Sequence, residues 1–196
     1  MEAIEIPSSA DSTHAGVLSP VESDYVNPDD VLRIYLSALT GIDKTLVRKR
    51  WLQKPGTQPK VDTDWAAVGV DRITTQGTPY HSAVKPKNAS DPDVIRRTSW
   101  QTLRCVATFY GPNAAELADR FREGIQLQQN DSQLRKFGLT IQGVNDEILH
   151  LPDFLFEQWI DRYDVVFRLG RSVTRTYGVR TIIGADIEIF TEKGEL

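Results

Sequence analysis

Apolar residues recur at helical spacing in three places along the chain. In "NPDDVLRIYLSALTG", Val31, Ile34, Tyr35, Ala38 and Leu39 follow the i, i+3, i+4 rule and predict a helix with one apolar face. Asn27 is a good N-cap, and Pro28 suits the first helical position. Asp29 and Asp30 face the positive end of the helix dipole, and Gly41 ends the helix. A second stripe, Ala114, Leu117, Ala118, Phe121 and Ile125, predicts another helix. A short third one is expected from Asp131 to Phe137, capped by Asn130 and stopped by Gly138.

Elsewhere the alternation has period two. From Ile95 to Tyr110, Leu103, Cys105, Ala107 and Phe109 point one way, while Trp100, Thr102, Arg104, Val106 and Thr108 point the other. "QWIDRYDVVFRLGRSVTRTY" predicts a second long strand with Tyr163, Val165, Phe167 and Leu169 on its inner face. "TLVRKRWLQ" predicts a shorter one, with Val47 and Trp51 opposite Leu46, Arg48 and Arg50. "DWAAVGVDRI" and "LTIQGV" complete the central set, Gly69 marking a bulge or a close approach. Residues 74–94 lack any period and are expected to form a long polar loop. Strands and helices do not alternate as a parallel doubly wound sheet requires, so the class is α+β. Three regions follow: an extended acidic arm (1–26), a central domain (27–180) and a β-rich tail (181–196) in which Ile183, Ile187 and Ile189 share a face.

Composition changes this picture only through its distribution. The chain has 196 residues, enough for one compact domain with a core. Net charge is −4, yet residues 1–30 hold seven acids and no base, which leaves 20 acids against 23 bases in the rest. The stretch from Lys44 to Lys60 holds six bases and no acid. The lone Cys105 rules out an internal disulfide and a cysteine-cluster metal site, and its place in a strand predicts a buried thiol. No apolar run is long enough to span a membrane, and no basic region leads into an apolar stretch at the N-terminus. A reducing cytoplasm, or something assembled there, is the expected setting.

Candidate chemistry is sparse. "CVATFYGPNAAELADRF" passes from strand through glycine to helix, as phosphate loops do. Gly111 is its only glycine before the helix, however, and Pro112 lacks the N–H a phosphate cradle needs. The corner is expected to turn the chain, with Asn113 and Glu116 forming a capping box. His14, His81 and His150 have no second histidine or cysteine at i+3 or i+4. Asp161 and Asp164 fall on opposite strand faces, whereas Arg162, Asp164 and Arg168 share one, as a solvated charge ladder or a subunit interface. No nucleophile elbow is present. "LVRKRWLQK" and "IRRTSWQTLR" interleave cations with tryptophan, so a single-stranded nucleic-acid-binding module is the alternative reading. The acidic balance of the chain argues against it.

Five segments, taken in order, resemble one family. "SALTGIDKTLVRKRW", "TDWAAVGV", "FYGPNAA", "GIQLQQN" and "RTYGV" look like the neck (tail) terminator proteins of long-tailed bacteriophages. The resemblance implies a mixed, mostly antiparallel sheet packed against two main helices, and a ring most often of six subunits. Such a ring caps the completed tail tube and joins it to the head connector. The implied partners are further copies of the chain, the tail tube protein and the head–tail connector or collar protein. The sheath of a contractile tail and the genomic DNA passing through the lumen complete the set; a membrane is not among them. The implied location is the virion, after assembly in the host cytoplasm. No catalytic, cofactor or metal residue carries over. The structural or interface candidates are Asn27, Gly41, Trp51, Trp65, Gly111, Pro112, Arg162, Asp164 and Arg168. The acidic arm and the β-rich tail depart from the family pattern. Unpaired strand edges would suit ring building, and an acidic arm beside a basic body gives neighbours complementary charge.

Overall fold

The computed structural model describes residues 8–9, 16–52, 57–84, 93–155 and 157–179. The expected tail strand at 181–190 and half of the acidic arm lie outside the described residues. In chain order the elements are β1 (Ser8–Ser9), β2 (Val17–Leu18), β3 (Glu22–Ser23), α1 (Pro28–Thr40), β4 (Val47–Lys49), β5 (Trp65–Val84) and β6 (Asp93–Tyr110). They continue with α2 (Ala114–Ile125), α3 (Gln128–Arg135), β7 (Leu139–His150), β8 (Asp153–Leu155), β9 (Gln158–Ile160) and β10 (Arg162–Val179). Six strands form one mixed sheet in the order β3-β10-β6-β5-β4, with β7 antiparallel to β10 along residues 163–171. β4 runs parallel to β5, and β8 and β9 make a separate antiparallel hairpin. The fold is α+β, as the pattern predicts.

The chain divides into two units: 24–79 with 98–173, and 1–23 with 80–97 and 174–196. The second contains the parallel pair β1–β2 and the short antiparallel pairing of β3 with Arg175 and Thr176 of β10. The first contains the core. There α2 presents the expected stripe, with Ala118, Phe121 and Ile125 fully buried. Opposite lie Leu103, Cys105, Ala107 and Phe109 of β6 and Val165, Phe167 and Leu169 of β10, all at 0 % exposure. The Phe121 ring meets Phe109 at 5.7 Å and Phe167 at 5.5 Å between centroids. Burial pushes the Cys105 thiol up to about 12. Native protein at pH 8 should therefore leave it unmodified by a thiol reagent, while urea-unfolded protein reacts. An unfolded thiol ionises near about 8.5 and the buried one stays protonated, so this group's contribution to stability falls as pH climbs from there toward 12. Tyr35, raised to about 12 by burial and then by Asp131, adds a loss of the same sign. Melting temperatures measured from pH 8 to 11 should fall steadily.

α1 begins and ends as its sequence dictates. Asn27 Oδ1 accepts from the Asp29 N–H at 3.1 Å, and Gly41, at φ 83°, donates its N–H to the Ser37 carbonyl at 2.9 Å. Its buried face, however, is not the expected one. Leu32 and Leu36 enter the core with Val31 and Tyr35, whereas Ile34 is 59 % exposed and Ala38 is exposed as well. The helix carries apolar residues around more than half of its circumference, and the two leucines bury the larger area. Asp29 does more than face the dipole, for its Oδ1 accepts the Val70 N–H at 2.9 Å and ties α1 to β5. Gly69 marks a close approach: a Cβ there would meet the Arg50 Cβ at 3.1 Å.

Four other expectations are corrected. Residues 74–84 are not loop but the second half of β5, and β6 resumes at Asp93. Their side chains are mostly exposed, so no apolar alternation marks the strand, although Thr74, Thr75, Thr78 and Tyr80 favour extended backbone. α3 starts at Gln128, with Leu127 at the cap position; Asn130 lies inside it and donates its Nδ2 to the Gly124 carbonyl at 2.7 Å. β7 is twice the length of "LTIQGV". The capping box is absent: Asn113 makes no side-chain cap bond, and α2 begins at Ala114, after Pro112.

Asn113 instead clamps Asp64, donating its backbone N–H at 2.9 Å and its Nδ2 at 2.8 Å to the two carboxylate oxygens. The turn through Gly111 permits this. At φ 107° a Cβ there would lie 2.6 Å from Asp64 Oδ1 and 2.7 Å from the Thr63 carbonyl oxygen. Gly111→Ala should cost at least about 1–3 kcal/mol from backbone strain alone, and the loop at Thr63 must also yield. Chemical denaturation of the variant checks it.

Candidate assembly interface

Arg50, just after β4, and the start of β10 meet in a network of charge. Asp164 is only 5 % exposed. Arg162 grips it in a fork, Nη2 to Oδ2 at 2.7 Å and Nε to Oδ1 at 3.1 Å. The remaining nitrogen, Nη1, reaches both oxygens of Asp153 at 3.2 and 3.3 Å. Arg50 Nη2 lies 3.8 Å from Asp164 Oδ2, and its Nη1 donates to Thr108 Oγ1. The bond to Asp164 raises the Arg162 guanidinium above its ordinary range. Burial raises the Tyr110 phenol, whose OH donates to Asp153 at 3.4 Å. This network orients strands.

Among the sequence candidates, Arg162 and Asp164 thus pair with each other, but not as a solvated ladder. Arg168 takes no part: it is exposed and lies over Gly143, next to a break in the β7–β10 register. Trp65 stacks on Tyr110 at 4.1 Å, with the Arg48 guanidinium 5.6 Å from its own ring. Trp51 sits past the end of β4 and is 64 % exposed, not on a core face; the Arg50 guanidinium lies 5.6 Å from its ring. These side chains border an open cavity of about 370 Å³. Asn27, Gly41, Gly111 and Pro112 act in turns and caps.

Three of the six bases in the basic stretch are engaged inside the molecule. Lys49 pairs with Asp30 at 2.6 Å, Arg50 with Asp164, and Arg48 Nη2 donates to the Thr57 carbonyl at 2.5 Å. Arg104, on the second cationic segment, pairs with Asp71. Lys44 and Lys60 are exposed. Arg96, Arg97 and Trp100 of the second cationic segment are exposed as well.

Two features escaped the sequence reading. Arg171 is 8 % exposed, lies 4.5 Å over the Tyr25 ring, and donates to the Val26 carbonyl at 3.2 Å. Nothing local in the sequence signals that long-range contact. The β8–β9 hairpin exposes Phe154 at 59 % and Trp159 at 71 %, their rings 5.3 Å apart. Its signal was present in "DFLFEQWID", a run too apolar for a connector. Among the described residues, no cluster of three or more His, Cys, Asp or Glu is placed to hold a metal ion. No helix among them is long and apolar enough to cross a membrane.

Comparison with curated proteins finds no match. The family model described as "Phage neck terminator protein" matches residues 29–194 and so takes in every segment that carried the resemblance. The chain belongs to the phage neck terminator protein family, and it is a structural component of the virion neck rather than an enzyme.

Proposed function

We propose that the chain forms a ring, of six copies, that closes the finished tail tube and joins it to the head connector while DNA passes through the lumen. The observation that carries this reading is the family match across residues 29–194. The strand arrangement supports it. Among the described residues, β4 pairs only with Ala66–Val68 of the twenty-residue β5. Such an edge suits pairing with a neighbouring subunit. The partners in this reading are other copies, the tail tube protein and the connector or collar protein, with the last sheath ring added if the tail contracts. Light scattering of the purified protein, alone and with tail tubes, tests it. A mass that stays monomeric in both, joined to salt-steep binding of single-stranded DNA, would favour the nucleic-acid reading instead.

The acidic arm belongs to assembly in this account. Its acids act between molecules, against exposed bases such as Lys44 and Lys60 of a neighbour or against the adjoining ring. Tyr25 and Val26 stay anchored by Arg171 in a chain that begins at Asp24. That shortened chain should melt within a few degrees of the full one yet join heads to tails poorly. High salt should partly reproduce the defect in the full chain, because exposed charges are screened over about 8–10 Å. Outright unfolding would place the arm in the core, and normal joining would give it another role.

A further inference from the structure

α1 and α3 leave an apolar groove of about 550 Å³ between them. Ile34 and Ala38 of α1 line it together with Leu134, Phe137 and Val26. Ile34 is 59 % and Phe137 52 % exposed. Tyr35, which also lines the groove, has a buried hydroxyl without a hydrogen-bond partner among the described residues. Contiguous apolar surface of this kind marks an interaction site.

The same molecule carries a matching projection. The β8–β9 hairpin holds Phe154 and Trp159 together in solvent. Of the three acids from Asp153 to Asp161, Asp153 is held by Arg162 and Asp161 by His150, which leaves the exposed Glu157 at the turn. At the groove Arg135 is paired with Asp131, and the exposed Lys136 immediately precedes Phe137. Asp30, also in the groove lining, is already paired with Lys49. Hairpin and groove thus agree in apolar character, and Glu157 on the one is opposite in charge to Lys136 on the other. A knob on one copy and a groove on the next make a heterologous contact, the kind that closes into a ring.

We infer that the Phe154–Trp159 hairpin of one copy docks in the α1–α3 groove of the next. This rests on the ring reading and names the surface between its subunits. Two aromatic side chains bury about 150–250 Å² each, which makes them the anchor of an interface of about 800 Å² per partner rather than the whole of it. Glu157 then faces Lys136 of the neighbour at the rim.

Phage particles assembled with the double variant Lys136→Cys/Glu157→Cys test the contact. Both positions are exposed, and the native Cys105 is buried. After mild oxidation, a non-reducing gel should show a ladder of covalent multiples that collapses with reductant, while either single variant gives monomer. Double-variant protein that enters particles but stays monomeric on the gel overturns the inference and leaves the ring reading standing. A dimer from Glu157→Cys alone would set hairpin against hairpin and overturn it too. Absence of the wild-type chain from particles would remove both. Trp159→Asp and Ile34→Asp, each at an exposed site, should lower the yield of joined particles at least tenfold without moving the melting temperature. Loss with Ile34→Asp but full yield with Trp159→Asp would give the groove to another occupant and overturn the pairing.

Discussion

Phe121→Ala should destabilise the full-length protein by about 3–5 kcal/mol, the usual cost of truncating a fully buried phenylalanine. Phe121 sits at the centre of the core, packed edge-on against Phe167 of β10 and tilted against Phe109 of β6. Both of those residues lie on long strands held by neighbours on the sheet, so the walls have little freedom to collapse into the vacated space. Domains of this size are stable by about 5–15 kcal/mol, so the variant loses a large share of its margin. Urea unfolding should show a lower midpoint with an unchanged slope. Phosphate or a nucleotide should give no thermal protection to the wild type, because the Gly111 corner is occupied by Asp64 rather than shaped for an anion. A melting shift with nucleotide would show that the corner binds one.

The second large effect is expected from Asp164→Ala. Removing one member of a buried ion pair costs about 3–5 kcal/mol because the partner charge is left without compensation. Here the lower end of that range applies, since Arg162 retains Asp153 and is itself 19 % exposed. Asp153→Ala removes a more exposed partner and should cost under about 1 kcal/mol. The pair of variants separates a buried network from a surface one. Equal, small losses in both would mean that Asp164 is effectively solvated.

The sequence was most legible where one face alone is apolar. The stripe on α2 and the alternation of β6 place Phe109, Phe121 and Cys105 in the core without ambiguity. On α1 the apolar residues exceed what the core can bury, so periodicity alone chose Ile34 and Ala38 over Leu32 and Leu36. The surplus is the groove. The outer half of β5 has little buried surface and therefore no period to read; its ladder, not its side chains, defines it. Asn113 illustrates a different limit. Local spacing suggested a capping box, but Asp64, 49 residues away, offers both carboxylate oxygens and wins. For the interface, the sequence supplied the residues Arg162 and Asp164 but not their burial. Trp51 shared the Val47 face only by a strand alternation that ends, in the fold, two residues before it.

The claim that this chain closes the tail at the neck is tested most directly by electron microscopy of tail tubes incubated with the full-length protein. The account predicts a ring with a central opening seated on one end of each tube, and tubes so capped joining to heads when these are added. Tubes with bare ends beside unassembled protein would contradict it.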